Sequence, residues 1–362
     1  MIWNYKQNNN SGVILIVVLW ILVILSVLAI GLGRKSKIDL ALIKYSIGSL
    51  NAKYLAQAGI KYAMAQIHKD NSNGEMKKID TLYQCGIVLE NDESTKSIFK
   101  HIELDGGYFD ISYRSSKILQ EGEGESVFFG IIDEERKINI NAISKKNSSV
   151  IKHLIILLGF EESLADTIAA SLVDWHDQDS QETNAPLGAE DDYYQRLAEP
   201  YHCKNAAFDH ISELLLIRGV TQEIYEKMKN YITVFPKDTQ TLLVNINTAS
   251  KVVIQALARN FSGGRTNTEL EDADNLAEKI IMHRMGDDLQ VMSEDDRLVI
   301  LNDMALNARE RVIFLAMQKN IVNFSNYLRI RSTAVDERSG VQSRIEAVVF
   351  REDFSIMEWK RE

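Results

Sequence analysis

Residues 13 to 32 read VILIVVLWILVILSVLAIGL, twenty in a row without a charge and with Ser26 as the one polar residue. As an α-helix rising about 1.5 Å per residue, this run is about 30 Å long, the thickness of a bilayer's hydrocarbon core. It is expected to span a membrane, with the rest of the chain hanging from it. No proline interrupts the next many turns, and Ile43, Ile47, Leu50, Tyr54, Ala58 and Tyr62 recur at steps of three and four. That period predicts a helix continuing to His68, with these residues as the apolar stripe that packs on the protein's own sheet. Gly48 and Gly59 lie inside it and weaken it by up to about 1 kcal/mol each relative to alanine. Asp70-Asn71-Ser72-Asn73-Gly74 is expected to end it.

A polar leader, MIWNYKQNNN, and then Ser11-Gly12 stand before the apolar run. A secretory signal peptide has a shorter apolar region with its cleavage site behind it; here the natural cut lies in front. Leader, glycine and apolar stem together resemble the type IV pilin and pseudopilin class. The resemblance implies cleavage by a prepilin peptidase between Gly12 and Val13, leaving the stem on the mature protein. In that class the fifth residue after the cut is usually glutamate, paired with a neighbour's amino terminus; here it is Val17. A carboxylate in lipid needs a partner, and a subunit at a filament's tip has none ahead of it, so Val17 implies a tip position. The leader has only Lys6, whereas Arg34, Lys35 and Lys37 follow the span. Counted alone, these charges place the C-terminal side in the cytoplasm. The Gly12-Val13 junction implies the opposite, a single-pass inner-membrane anchor with a periplasmic soluble part.

The chain has 362 residues, 45% hydrophobic and 25% charged, enough for about two domains beyond the stem. Its formal net charge of −10 argues against a nucleic-acid-binding surface, which needs a basic excess, and suits divalent cations or basic partners. Cys85 and Cys203 are too far apart for a zinc-knuckle or redox pair. In an oxidising compartment they can form one disulfide; two unpaired buried thiols are the other reading.

Past the stem the pattern turns to strands. Tyr108 to Tyr113 alternates and Val127 to Ile132 reads as a buried strand, with EGEGE (Glu121 to Glu125) as the turn between them. Two more strands, Phe324 to Ser332 and Val341 to Phe350, lie at the far end, joined by Asp336 to Gly340. A sheet begun before residue 140 and finished after 320 makes the middle an insertion. That middle reads as short helices. Leu214 to Ile232 looks like a helix-hairpin-helix unit turning at Gly219, a second begins at Val244 to Leu257 with Asn247-Thr248 as its cap, and another helix is expected across Asp272 to Met285.

The densest polar signal is DWHDQD (Asp174 to Asp179), followed after a loop by GAEDDYY (Gly188 to Tyr194). Carboxylates crowded on one face repel unless a counter-ion joins them, and a hard cation such as Ca²⁺ accepts many oxygens in flexible geometry. The spacing does not match an EF-hand. A solvated acidic loop is the simpler alternative. His176 has no second histidine or cysteine at zinc-ligand spacing. Asp133-Glu134-Glu135 with Arg136-Lys137 reads as a solvated turn, and Asn139 and Asn141 as side chains that tie down loop backbone.

DWHDQDS, GAEDDYY, DEERKININ (Asp133 to Asn141) and VNINTAS (Val244 to Ser250) resemble the general secretion pathway protein K family, the large minor pseudopilin of type II secretion. That resemblance covers most of the chain. It implies an α+β protein with the type IV pilin-like fold, a long N-terminal helix packed on an antiparallel sheet, carrying a large inserted α-helical domain of SAM-like or helix-hairpin-helix units. The expected divisions are a leader 1–12, a stem 13–68, sheet 69–144, an insert 145–318 in units of about 145–235 and 244–318, and sheet 319–362. It also implies calcium binding, with Asp174, Asp177, Asp179, Glu190, Asp191 and Asp192 as the candidate ligands. The expected role is to cap the pseudopilus tip and help start its assembly, so that folded proteins cross the outer membrane. The expected partners are I- and J-type minor pseudopilins, the major pseudopilin, the prepilin peptidase and the inner membrane. No catalysis is expected, and the sequence contains no P-loop or nucleophile elbow. Two other readings follow from the residues. One is a membrane-anchored helix-hairpin-helix DNA-binding protein of the competence type, although Glu223 and Glu226 offset Lys227 and Lys229 beside Gly219. The other is a metal-dependent hydrolase built on the Asp174 to Asp192 carboxylates.

Overall fold

The computed structural model describes residues 11–72, 98–116, 125–263, 266–287 and 297–361. Cys85, the leader up to Asn10 and most of the EGEGE turn lie outside them. The long helix α1 is Ser11–Ser72. From Val13 to Leu32 its large apolar side chains are exposed on every side, and it is a helix of the length and composition that cross a membrane. Within this span the Ser26 hydroxyl donates to the Leu22 carbonyl at 2.7 Å, so its polar group is satisfied by its own helix, as a lipid environment demands.

The second half of α1 lies on an antiparallel sheet. Its strands are β1 (Ile102–Leu104), β2 (Gly107–Ser116), β3 (Glu125–Phe129) and β4 (Ile132–Asp133), then, far along the chain, β9 (Tyr327–Asp336), β10 (Gln342–Phe350) and β11 (Ile356–Arg361). The order is β1-β2-β9-β10-β11, with β3 also beside β2 and β4 beside β9. β9 and β10 run antiparallel from Gln342↔Val335 to Phe350↔Tyr327. Strict alternation places Leu328, Ile330 and Ala334 on the buried face of β9. Together with Phe109, Ile345, Ala347 and Val349 they meet Leu55, Ala56, Ile60, Ala63 and Ile67 of α1. Each buried Leu or Ile contributes roughly 1.5–3 kcal/mol.

The stripe that periodicity selected packs on the sheet only at its end, where Ala58 and Tyr62 lie against the core and the Tyr62 ring is 5.8 Å from that of Phe109. Ile43, Ile47, Leu50 and Tyr54 are exposed, Ile47 and Tyr54 at 56% and 58%, whereas Gly48, Ala52, Leu55, Ala56, Gly59 and Ile60 are buried. The reason is close approach. A Cβ at Gly59 would stand 2.1 Å from Ser332 Oγ and 2.9 Å from Phe109 Cδ2, and one at Gly48 would stand 2.0 Å from Ser339 Oγ. The small residues let the helix settle onto the strands beside Leu55, Ile60 and Ile67, while Ile43, Ile47, Leu50 and Tyr54 face outward.

Between β4 and β9 the chain makes the long helical excursion. It comprises β5 (Ile138–Asn139), α2 (Ser149–Leu157), α3 (Glu162–His176), α4 (Asp191–Tyr194), α5 (Gln222–Met228), β6 (Ile232–Thr233), β7 (Val244–Asn245), α6 (Lys251–Phe261), α7 (Asn267–Arg284), α8 (Ala308–Met317) and β8 (Ile321–Val322). β5 pairs in parallel with β6, and β7 in parallel with β8, so each half starts and finishes on a short ladder at its base. Both halves open with the same three residues. Asn139 Oδ1 accepts from the Asn141 amide at 3.0 Å, and Asn245 Oδ1 from the Asn247 amide at 3.1 Å. Asn141 also receives the Phe208 amide and donates to the Phe208 and Val234 carbonyls, while Asn247 Oδ1 accepts from Val299 N. Asn247 is therefore not a helix cap: Ser250 caps α6, accepting from Val253 N. The helices following these turns, α2 and α6, pack on one another in a core that also takes in Val348 of β10.

Asp133-Glu134-Glu135 is buried, not a solvated turn, at 2%, 0% and 7% exposure. Each carboxylate ties a different neighbour. Asp133 Oδ2 accepts from Thr248 Oγ1 and Asn245 Nδ2 of the second half at 2.6 and 2.7 Å. Glu134 takes Thr233 of the first half, Lys137, and Arg329 of the sheet. Glu135 Oε2 accepts from Asn326 N, where the chain returns. Arg329 goes on to Glu346 and Glu358. Burial pushes the Glu134 carboxyl up, but Arg329 and Lys137 outweigh it and hold the group well below the ordinary range.

Candidate metal centre

The acidic loop hangs from the end of α3. Asp174, two residues before that end, is fully buried, and its carboxylate faces the loop backbone: Oδ1 accepts from Thr183 N at 2.9 Å and Oδ2 from Ala189 N at 2.7 Å. These two bonds fold the loop back onto the helix. Gly188 is required there, because a Cβ on it would stand 2.0 Å from Asp174 Oδ2 and 2.8 Å from Thr183 N. Asp177 caps α3 through its amide to Val173 O, and Glu190 caps α4, its carbonyl accepting from Tyr193 N and Tyr194 N. Folding the loop back brings these two caps together.

The carboxylates of Asp177, Asp179 and Glu190 each place an oxygen within 4.8 Å of the others. Glu190 is only 4% exposed, and both its carboxylate oxygens, with Asp177 Oδ1, are buried without a hydrogen-bond partner among the described residues. Buried polar atoms in that condition are costly. Burial, and then the charges of Asp174, Asp177 and Asp179, push the Glu190 carboxyl up to about 7. Asp177 is raised by burial and by Asp179, whereas Gln181 N and Lys145 lower Asp179. Oxygen-only donors with two to three negative charges match a hard divalent cation such as Ca²⁺, not a soft or imidazole-seeking metal.

The other candidates have other employment. Asp174 is the loop's staple. Asp191 Oδ1 accepts from Cys203 N at 2.6 Å, and its Oδ2 meets His202 Nδ1 at 3.0 Å. Asp192 is exposed beside Arg196 at 3.7 Å. His176 Nδ1 lies 2.8 Å from the Leu172 carbonyl, a bond within its own helix. Cys203 is buried and has no disulfide partner among the described residues; its thiol donates to the Asp174 carbonyl at 3.3 Å, and burial pushes it up to about 12. The tyrosines after the acidic run are core: Tyr194 packs on Trp175 and Tyr201 with ring centroids 5.3 and 5.2 Å apart. Gly12 and Val13 lie in the first turn of α1, and Val13 is exposed.

The family described as type II secretion system (T2SS), protein K matches residues 136–237, the stretch that contains the first parallel ladder, β5 to β6, and the whole acidic loop. The type II secretion system protein K of Pectobacterium carotovorum subsp. carotovorum is 30% identical over 161 residues, 41% of this chain and 47% of that protein. That of Pseudomonas aeruginosa is 23% identical over 251 residues, 69% of each. Over that stretch this chain is similar to the type II secretion system protein K family. A solved structure shares the fold. In the crystal structure of the GspK-GspI-GspJ complex from the enterotoxigenic Escherichia coli type 2 secretion system, one chain superposes with a TM-score of 0.56 at 15% identity, covering 86% of this chain and 96% of that one. Protein K relatives are secretion components. The helix-hairpin-helix reading gains nothing here: Gly219 makes its turn with φ +86, but Lys227 and Lys229 are paired with Glu223 and Glu226, and Lys227 lies over the Phe160 ring.

Proposed function

We infer that this chain is a protein K, a minor pseudopilin of the type II secretion system, built on the pilin-like plan with a SAM-like pair inserted in its sheet. The observation that carries this is α1: one continuous helix whose first half has no packing partner among the described residues and whose second half lies on the sheet. Such a helix holds a soluble domain at a membrane and offers a stem to its neighbours. The inner membrane and the periplasm are the compartments assigned to its two parts. Val17 and the bulky insert suit the tip of a pseudopilus, where no subunit follows and space is free. I- and J-type minor pseudopilins are the proposed neighbours at the tip, in line with the complex in which the related chain was solved, and the exposed Ile43, Ile47, Leu50 and Tyr54 are the surface proposed for them. The chemistry is assembly, with no reaction catalysed.

Asp177, Asp179 and Glu190 are proposed to hold a calcium ion, which would supply the charge that the partnerless oxygens require and pin the caps of α3 and α4. The class and orientation are tested by the amino terminus of the full chain after co-expression with a prepilin peptidase. Mature protein starting at Val13 is expected. A chain still starting at Met1 would reduce the stem to a plain anchor and overturn the pseudopilin reading.

A further inference from the structure

One cation already reaches the carboxylate cluster. Lys145 Nζ lies 3.5 Å from Asp177 Oδ2 and 3.1 Å from Asp179 Oδ2. It belongs to a different part of the chain, 34 residues from Asp179, in the loop between the Asn139-Ile140-Asn141 turn and α2. That loop is not slack. Asn147 Oδ1 accepts from Ser144 N at 2.6 Å and Ser144 Oγ at 3.1 Å, and Asn147 Nδ2 donates to the Ala142 carbonyl at 3.0 Å. The backbone beside Lys145 is therefore held in place, and the ammonium reaches Asp177 and Asp179 but makes no bond to Glu190. With all three carboxylates ionised, the ammonium cancels one negative charge and leaves two, the charge of a divalent cation.

We propose that Lys145 is the resident counter-ion of this site: it keeps Asp177 and Asp179 together when no metal is bound, and competes with the metal that replaces it. The proposal rests on reading the three carboxylates as a cation site. Its consequence has the opposite sign from the loss of a ligand. A positive charge within a few ångströms of an entering divalent ion opposes it, so removing that charge should tighten binding while loosening the ion-free loop. Half-exposed as Lys145 is, solvent screens the effect, and a gain on the order of tenfold in affinity is expected rather than the far larger value of a dry site.

The test uses the full chain in detergent, titrated calorimetrically with calcium chloride, in three forms: unaltered, Lys145→Gln and Lys145→Arg. The expected result is a dissociation constant about tenfold lower for Lys145→Gln and nearly unchanged for Lys145→Arg. In EDTA, Lys145→Gln should also melt cooperatively but at a lower temperature than the unaltered chain, and regain the difference when calcium is added. Calcium binding by the unaltered chain with equal or weaker binding by Lys145→Gln overturns the role of Lys145 and leaves the site standing. No binding by the unaltered chain overturns the site itself.

Discussion

Glu190 sets the pH behaviour of the loop. Burial and the neighbouring aspartates raise its carboxyl from an ordinary 4.5 to about 7 in the ion-free fold. A raised carboxyl costs nothing below about pH 4.5, where it is protonated folded or unfolded. The cost accrues as pH rises towards about 7, because only the unfolded chain ionises freely. A bound cation removes that cost. The rise in melting temperature on adding calcium is therefore expected to be larger at pH 8 than at pH 5, as thermal melts with calcium or EDTA at both values will show. Glu190→Gln should weaken calcium binding at least tenfold and flatten that pH dependence, yet melt no lower than the unaltered chain in EDTA at pH 8. Glu134 behaves in the opposite sense: its carboxyl is held low by Arg329 and Lys137 despite burial, so its contribution is fully present at neutral pH and is lost progressively as pH falls below its ordinary 4.5. Glu134→Gln leaves Arg329 and Lys137 without that partner and should cost about 3 kcal/mol in denaturant unfolding at pH 7.

At the scale of elements, α1 shows what a periodic reading can and cannot find. The stem, the strands β2 and β10 and the helix α7 were legible because each has its period or its turn residues. Which face of α1 meets the sheet was legible only in part, because Gly48, Ala52, Ala56, Gly59 and Ala63, which a hydrophobicity count ignores, share the packed stripe with Leu55, Ile60 and Ile67. Gly59→Ala should raise intrinsic helix propensity by about 1 kcal/mol yet lower the protein's stability by about 1–3 kcal/mol, because its Cβ meets Ser332 and Phe109. Adding Ser332→Gly should recover much of the loss, a coupling readable from a double-mutant cycle. The acidic run was legible as a cluster, but which carboxylates converge was not. Asp174 and Asp191 are spent on backbone amides of loops that fold back on them, and spacing alone carries no record of that return. Asp133 to Glu135 was missed for the same reason: its partners lie on β9, at Thr233 and at Asn245, all distant in sequence.

For the molecule as a whole, the apolar flank of α1 that the sheet leaves bare is where assembly is expected to act. Cysteine placed at Ile47 or Tyr54 should crosslink to the stem of an I- or J-type minor pseudopilin in membranes that contain all three, while cysteine at the buried Ala56 should not. Electrophoresis without reducing agent reads the difference.

The two ends of the excursion also leave and rejoin the sheet side by side. Glu134 N donates to the Tyr327 carbonyl at 2.9 Å, and Ile132 lies opposite Arg329, although Glu134 and Arg329 are 195 residues apart. Closing so long an unstructured loop costs about 5 kcal/mol of chain entropy. Once the excursion has folded on its own core and its two short ladders, the gap to be closed shrinks to a few residues. Pairing of β4 with β9 is thus a high contact-order event made accessible by the helices between, and the platform on which the stem rests is expected to close after the excursion has folded.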